Sequence, residues 1–266
     1  MNLHPCALAL ALVGLVGVPF SSAQAETLLN AQIVTAKGYA ADAQDTPQAV
    51  EVLQPAGADA ALVGDLMRSK PGLAVQSDGA WGQNPVLRGL KKESVVVMVD
   101  GLRLNSAQPQ GAIASFMDLG LLERVEVVKG PGSVLYGSGA IGGVVNLITP
   151  EARFTTADEL GGRVGARFSS VDNGVAGALL VQRSNADHAL VLGVAGRDVD
   201  DYRSPDGREA RTGYQSNTLL AKYRQRLNED ISLRLNLQRH ADEDVWYPGS
   251  ARSGAGIPRP LGVATI

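Results

Sequence analysis

Leu135-Tyr136-Gly137-Ser138-Gly139-Ala140-Ile141-Gly142-Gly143-Val144-Val145-Asn146-Leu147-Ile148-Thr149 sets four glycines directly ahead of a β-branched run. Its first half matches the dinucleotide fingerprint G-x-G-x-x-G at residues 137–142. That fingerprint cradles a pyrophosphate only where it leads from a strand into a helix. Here it leads into Val144-Val145-Asn146-Leu147-Ile148-Thr149, a strand by composition, which Pro150 closes. The glycines therefore read as turn and close-packing chemistry inside a sheet, and nucleotide binding is set aside.

Working outward, Val125-Glu126-Val127-Val128 reads as a second strand, ended by Gly130-Pro131-Gly132. Val95-Val96-Val97-Met98-Val99 is a continuous apolar run ended by Asp100-Gly101, the pattern of a buried strand followed by a turn. Further upstream, Leu62, Asp65, Leu66 and Ser69 share helical spacing until Pro71-Gly72 stops the run. Strands mixed with short helices predict an α+β domain over residues 46–152.

Beyond residue 160 the texture changes to period-two strands. Ile231, Leu233, Leu235 and Leu237 alternate with Ser232, Arg234, Asn236 and Gln238. Leu219, Ala221 and Tyr223 alternate with Lys222, Arg224 and Arg226, and Val164, Ala166 and Phe168 with Arg163, Arg167 and Ser169. Strands of about ten such residues cross a bilayer when tilted, with the apolar face to lipid. A soluble sandwich shows the same alternation, so connection lengths decide. Residues 184–188 and 227–230 make tight connections, whereas residues 198–212 make a long polar one. Short inner turns facing longer outer loops are the habit of outer-membrane barrels, although the first outer loop, residues 170–174, is short. Phe168, Tyr223, Trp246 and Tyr247 fall near strand ends, as an interfacial girdle requires. About five strands fit between residues 160 and 266, fewer than the roughly eight that close such a barrel, so the chain is expected to stop inside an outer loop.

Composition narrows the function. A net charge of -3 and a pI near 5.7 give no basic field for nucleic acid. With 45% hydrophobic residues the chain carries too much apolar material for disorder. Residues 7–18 form an apolar run too short to span a membrane, and Ala23-Gln24-Ala25 supplies a small-x-small cleavage pattern. Residues 1–25 are thus expected to be a secretory signal, although no Lys or Arg precedes the run. The sole cysteine, Cys6, would leave with it, which excludes disulfides and thiolate metal sites from the mature chain. Residues 26–45 read as an arm without helical period.

The stretches Asp100-Gly101-Leu102-Arg103-Leu104-Asn105 and Leu122-Glu123-Arg124-Val125-Glu126-Val127-Val128-Lys129-Gly130-Pro131 resemble the plug domain of TonB-dependent outer-membrane transporters. The resemblance continues through residues 135–149, and Leu87-Arg88-Gly89 is similar to the family's arginine-glycine turn. Lys129 departs from it, since an arginine is common before Gly-Pro. Ile33-Val34-Thr35-Ala36 resembles the TonB box, the alternative being that it merely begins the first plug strand.

The resemblance implies an α+β plug domain followed by an incomplete antiparallel transmembrane β-barrel, in the outer membrane of a Gram-negative cell. It implies active import of a scarce chelated solute, driven through TonB by way of Ile33, Val34, Thr35 and Ala36. Arg88 and Arg124 would contact the polar barrel wall and need carboxylates, expected on strands that this chain does not include; the alternative is ordinary surface arginines. Cargo would rest on outward plug loops bearing Trp81, Gln83 and Asn84 in one segment, and Ser106, Gln108 and Gln110 in the other. Trp81 has the alternative of packing against the wall. An aromatic face with neutral amides suits an organic chelate. Residues 46–150 contain no His or Cys to ligate haem iron or a bare metal, which favours a ferric siderophore, then cobalamin or haem. A signalling or adhesion receptor of the same architecture is the rival; a signalling form would carry a further domain of about 70 residues before the TonB box. The implied partners are TonB, the metal chelate or cobalamin-like ligand, and outer-membrane lipid. A monomer is expected at full length, with no enzymatic activity, no cofactor and no resident metal. His188 and His240 are expected at the barrel rims, and Asp242, Glu243 and Asp244 in a solvated loop.

Overall fold

The computed structural model describes residues 32–33, 41–42, 49–55, 60–68, 70–78, 80–104 and 115–245. The expected signal segment, Val34, Thr35, Ala36, Ser106, Gln108, Gln110, Trp246 and Tyr247 lie outside the described residues.

Two short strands, β1 (Gln32–Ile33) and β2 (Ala41–Asp42), pair antiparallel, with Ile33 opposite Ala41. The globular unit follows. Its main sheet has the order β3-β9-β10-β7-β8, built from β3 (Ala49–Leu53), β7 (Val95–Val99), β8 (Leu102–Arg103), β9 (Arg124–Lys129) and β10 (Gly143–Ile148). β10 runs antiparallel to β9 and parallel to β7. This central place explains its near-continuous apolar run, because both faces are covered. A second sheet, β4 (Leu73–Asp78), β5 (Gly82–Leu87) and β6 (Leu90–Lys91), packs beside it. Helix α1 is the single turn Ser133–Tyr136 between β9 and β10.

Asp100 and Gly101 form a two-residue loop joining β7 to β8, with φ of 48° and 83°. Arg88 and Gly89 repeat the geometry between β5 and β6, with φ of 51° and 84°. Left-handed backbone at both central positions is the primed hairpin turn, and glycine supplies the second position without steric cost.

The helical spacing near residue 65 yields only a 3-10 turn, Val63–Met67. The Asp65 carboxylate accepts from the amides of Ala61 and Leu62, which satisfies the first turn. Arg68 then leaves in extended backbone, and Pro71 stands three residues on. Gly64 within the turn lies tight against Gln83, so the segment is shaped by packing and not by helix propensity.

The second half of the chain is an antiparallel meander: β11 (Glu159–Ser169), β12 (Gly174–Ser184), β13 (His188–Val199), β16 (Tyr214–Arg226) and β17 (Ser232–Glu243). A small hairpin of β14 (Arg203–Ser204) and β15 (Gly207–Arg208) occupies the long connection before β16. The five long strands make an open sheet of 11 to 13 residues each, long enough to cross a bilayer at a tilt. Among the described residues no helix is long and apolar enough to span a membrane.

One face of this wall is apolar and bare: Leu190, Leu192, Val194, Leu219, Leu233, Leu235 and Leu237 are all exposed. The other face is covered by the globular unit, and it carries Arg197, Thr218, Lys222, His240 and Asp242 as buried residues. Two expectations are corrected here. His240 lies on the covered face, bonded to Thr218 Oγ1 at 2.8 Å and Asp242 Oδ2 at 3.0 Å, instead of standing solvated at a rim. Asp242 belongs to β17 and is buried, so only Glu243 and Asp244 of the acidic run are exposed. The cause is strand parity: positions 238, 240 and 242 continue the inward series.

Candidate functional site

The plug meets the wall through a 3-10 turn, Leu119–Leu121, whose N-cap Asp118 accepts from Gly120 N. Leu121 is fully buried in a cluster with Leu180, Val191, Ala195 and Leu220 of the wall. Gly120 permits this approach, since a Cβ there would stand 2.4 Å from that of Ala178. The free carbonyls around the turn are taken by a wall cation. Arg163 donates to Gly120 O at 3.2 Å and Leu122 O at 2.7 Å. Toward the other strand ends, Arg167 donates to Ala60 O and Arg197 to Ala61 O. Inward arginines thus bind plug backbone, which requires no particular plug side chain.

Asp100 is the side-chain hub. Its carboxylate accepts from Thr149 N at 2.9 Å and Thr149 Oγ1 at 2.7 Å within the plug. From the wall it receives Gln238 Nε2 at 2.7 Å and Lys222 Nζ at 2.8 Å. Asn146 holds the turn itself, accepting from Gly101 N. The primed turn aims Asp100 at the wall, and even-numbered positions on β16 and β17 present Lys222 and Gln238 to it. Sequence reading missed Asp100, Arg163, Arg167, Arg197, Lys222 and Gln238 as contacts. The usable signal was parity, because each wall residue occupies an inward position of an alternating strand.

Arg124 and Arg88, expected to meet carboxylates on barrel strands outside this chain, have these neighbours among the described residues. Arg124 finds its carboxylates inside the plug, Glu126 at 2.8 Å and Glu123 at 2.9 Å. Glu126 is wholly buried, so this pair serves the plug sheet. Arg88 is exposed in its hairpin turn, its amide bonded to Gly72 O. Lys129 bonds Glu51 and Pro71 O, with the single point charge a lysine offers.

The described ends of the two segments expected to face cargo (residues 79–84 and 106–116), residues 80–84 and 115–116, touch each other; Ser106, Gln108 and Gln110 lie outside the described residues. Ser115 Oγ donates to Trp81 O at 2.7 Å and accepts from Gln83 N at 3.2 Å. Trp81 meets Phe116 edge-on at 5.6 Å between centroids. Residues 82–84 are not loop, however, but the first half of β5. Trp81 is only 4% exposed, in a core cluster that includes Val199, Tyr214 and Val245. Gln83 donates to Asp65, and Asn84 is fully buried. Trp81 therefore packs in this structure, as its alternative reading allowed. The aromatic that the polar residues of the segment surround is shielded by its own neighbours.

Beneath this region Asp118 faces Arg197, His240 and Asp242 across the interface. Burial raises its carboxyl above the ordinary carboxylate value, only partly offset by the Arg197 charge and the Gly120 amide. Asp65 is the reverse case. Burial pushes it up, but the Leu62 amide, Gln83, Arg68 and the Ala61 amide together hold it below its ordinary value. Among the described residues no group of three His, Cys, Asp or Glu is placed to hold a metal ion.

A small mixed α+β unit seated on the polar face of an open antiparallel sheet, whose other face is apolar and bare, is the arrangement of a plug against part of an outer-membrane barrel wall. The family model for the TonB-dependent receptor plug domain matches residues 42–144. A hemin receptor of Yersinia enterocolitica is 30% identical over 236 residues, covering 86% of this chain and 34% of that protein. The vitamin B12 transporter BtuB of Vibrio vulnificus is 34% identical over 174 residues, covering 63% of this chain and 27% of that protein. The Serratia marcescens hemophore receptor HasR superposes with a TM-score of 0.66 at 21% identity, covering 75% of this chain and 32% of that one. The Pseudomonas aeruginosa pyoverdine receptor FpvA gives 0.65 at 21%, covering 80% and 30%. The chain belongs to the TonB-dependent outer-membrane receptors, a family of transport receptors, and its place is the outer membrane. It spans about a third of the length of the hemin receptor it matches.

Proposed function

We propose that the full-length receptor imports a ferric siderophore across the outer membrane, driven by TonB acting on Ile33, Val34, Thr35 and Ala36. The observation that carries the cargo class is the donor set of the plug. Residues 46–150 hold neither His nor Cys, so the plug offers no imidazole or thiolate to iron. A metal enclosed in its own organic ligand needs neither. Cobalamin or haem is the second reading, favoured by the hemin receptors and B12 transporters among the relatives. Ser106, Gln108 and Gln110 stay the candidates for hydrogen bonding to the chelate, each bond contributing about 1 kcal/mol.

Calorimetric titration of the full-length receptor with a ferric hydroxamate siderophore, haemin, cyanocobalamin and free ferric ion tests the cargo. Tight binding of the siderophore alone is expected, and tight binding of free ferric ion would overturn the chelate reading. Val34→Pro removes a main-chain donor that strand addition to TonB requires. Uptake should be abolished with siderophore binding retained, whereas Val34→Ile should transport normally.

A further inference from the structure

The linker between plug and wall, residues 149–158, is fastened at four successive points. Glu151 pairs with Arg234 of β17 at 3.1 Å. The Phe154 ring lies under two guanidinium groups of β16, Arg224 at 4.7 Å and Arg226 at 4.8 Å. Thr155 donates its amide to Asn185 O at 3.1 Å and its hydroxyl to Ala157 O at 2.8 Å, and its Oγ1 stands in hydrogen-bond contact with Ser184 Oγ at 3.0 Å. Asp158 takes Arg183 in a two-pronged pair at 2.9 and 3.2 Å. Ala152, between the first two points, is buried in the plug–wall cluster around Leu121.

A covalent connection needs no such fastening merely to join two domains. Arg224 and Arg234 stand directly opposite each other on neighbouring strands, an arrangement that repels. Phe154 and Glu151 answer that repulsion, one with its ring face and the other with its charge. The linker thus completes the wall as well as ending the plug. The plug proper meets the wall through backbone carbonyls, the Asp100 hub and the apolar cluster around Leu121, all on the N-terminal side of Pro150.

We infer that residues 150–158 are a fixed clamp that stays on the barrel wall throughout the transport cycle. Plug movement then occurs entirely on the N-terminal side of Pro150. This inference rests on the energy-coupled uptake proposed above. The clamp keeps one end of the plug registered, so that the displaced part returns to the same seat.

The test uses a cysteine-free full-length receptor carrying Thr155→Cys and Ser184→Cys, whose side-chain oxygens now stand 3.0 Å apart. Oxidised receptor should take up the ferric siderophore, haemin or cyanocobalamin that wild type transports to within about twofold, and cross-link yield should not change when the proton gradient is collapsed. Loss of uptake restored by reductant, or a yield that falls in energised cells, would overturn the clamp. The converse variant combines Glu151→Ala, Phe154→Ala and Asp158→Ala. Its uptake should fall about tenfold or more with binding held within about twofold, and normal uptake would count against the inference. If this variant fails to bind, and so fails to fold, the cross-linked receptor decides alone. Wild type that transports none of the three cargoes refutes the uptake reading, while the cross-link yields still test the clamp.

Discussion

The plug and the wall use the same residue types in opposite ways. In the plug, Val95, Val97, Val99, Val145 and Leu147 are turned into a sealed core. In the wall, Leu233, Leu235 and Leu237 are turned outward, and Arg163, Arg167, Arg197 and Lys222 point in toward the plug. The plug obeys the rule for a protein in water, and the wall the rule for one whose solvent is hydrocarbon. The comparison teaches that burial by itself assigns no role. Lys222 is buried because the plug covers it, and Leu235 is bare because lipid is its proper neighbour.

The largest effect is expected inside the plug. Trp81→Ala should destabilise the full-length receptor by about 3–5 kcal/mol, measured by denaturant unfolding in micelles. Trp81→Phe should cost much less, and chelate affinity should follow the folded fraction in both variants. Affinity lost at full stability would return Trp81 to the cargo site. Next comes the junction. Asp100→Ala leaves the Lys222 ammonium, 6% exposed, without its carboxylate and should cost about 3 kcal/mol or more. Adding Lys222→Met should recover most of that loss; no recovery would mean that Thr149 and Gln238 dominate the hub. In the wall, Leu235→Arg should cost about 2–4 kcal/mol of folding stability in bilayers, and Asn236→Arg on the opposite face under about 1 kcal/mol. Equal costs would contradict the assignment of faces.

The smallest effect is a slope with pH. The Asp118 carboxyl is raised in the folded state by burial, so its protonated form favours folding. That contribution is fully present below the ordinary value of 3.8 and is lost as pH rises through the raised folded value. Asp118→Asn keeps an acceptor for Gly120 N and should remove this pH dependence. Unfolding curves compared from pH 4 upward should show wild type losing stability relative to the variant. A constant difference across that range would place Asp118 in contact with solvent.

Residues 95–99 were legible to the residue, because a continuous β-branched run ended by Asp-Gly admits one local structure. The five wall strands were legible as a count and as two faces, because alternation is written directly into the chain. Residues 82–84 were not, since Gln83-Asn84-Pro85 carries turn residues that only pairing with β4 turns into strand. His240 and Asp242 were missed because their polarity argued for water, and what covers them is the plug.

The sequence by itself determined the strand periods, the turns at Arg88-Gly89 and Asp100-Gly101 and the family-like blocks, all of which depend on neighbours a few residues apart. Only the tertiary structure decided which inward cations of the described strands meet the plug and that Asp100 is the side-chain hub where they meet. Asp100 and Gln238 are 138 residues apart in sequence. Ion pairs and hydrogen bonds at that separation leave no local pattern, because either partner alone is an ordinary polar residue until the fold brings the two together.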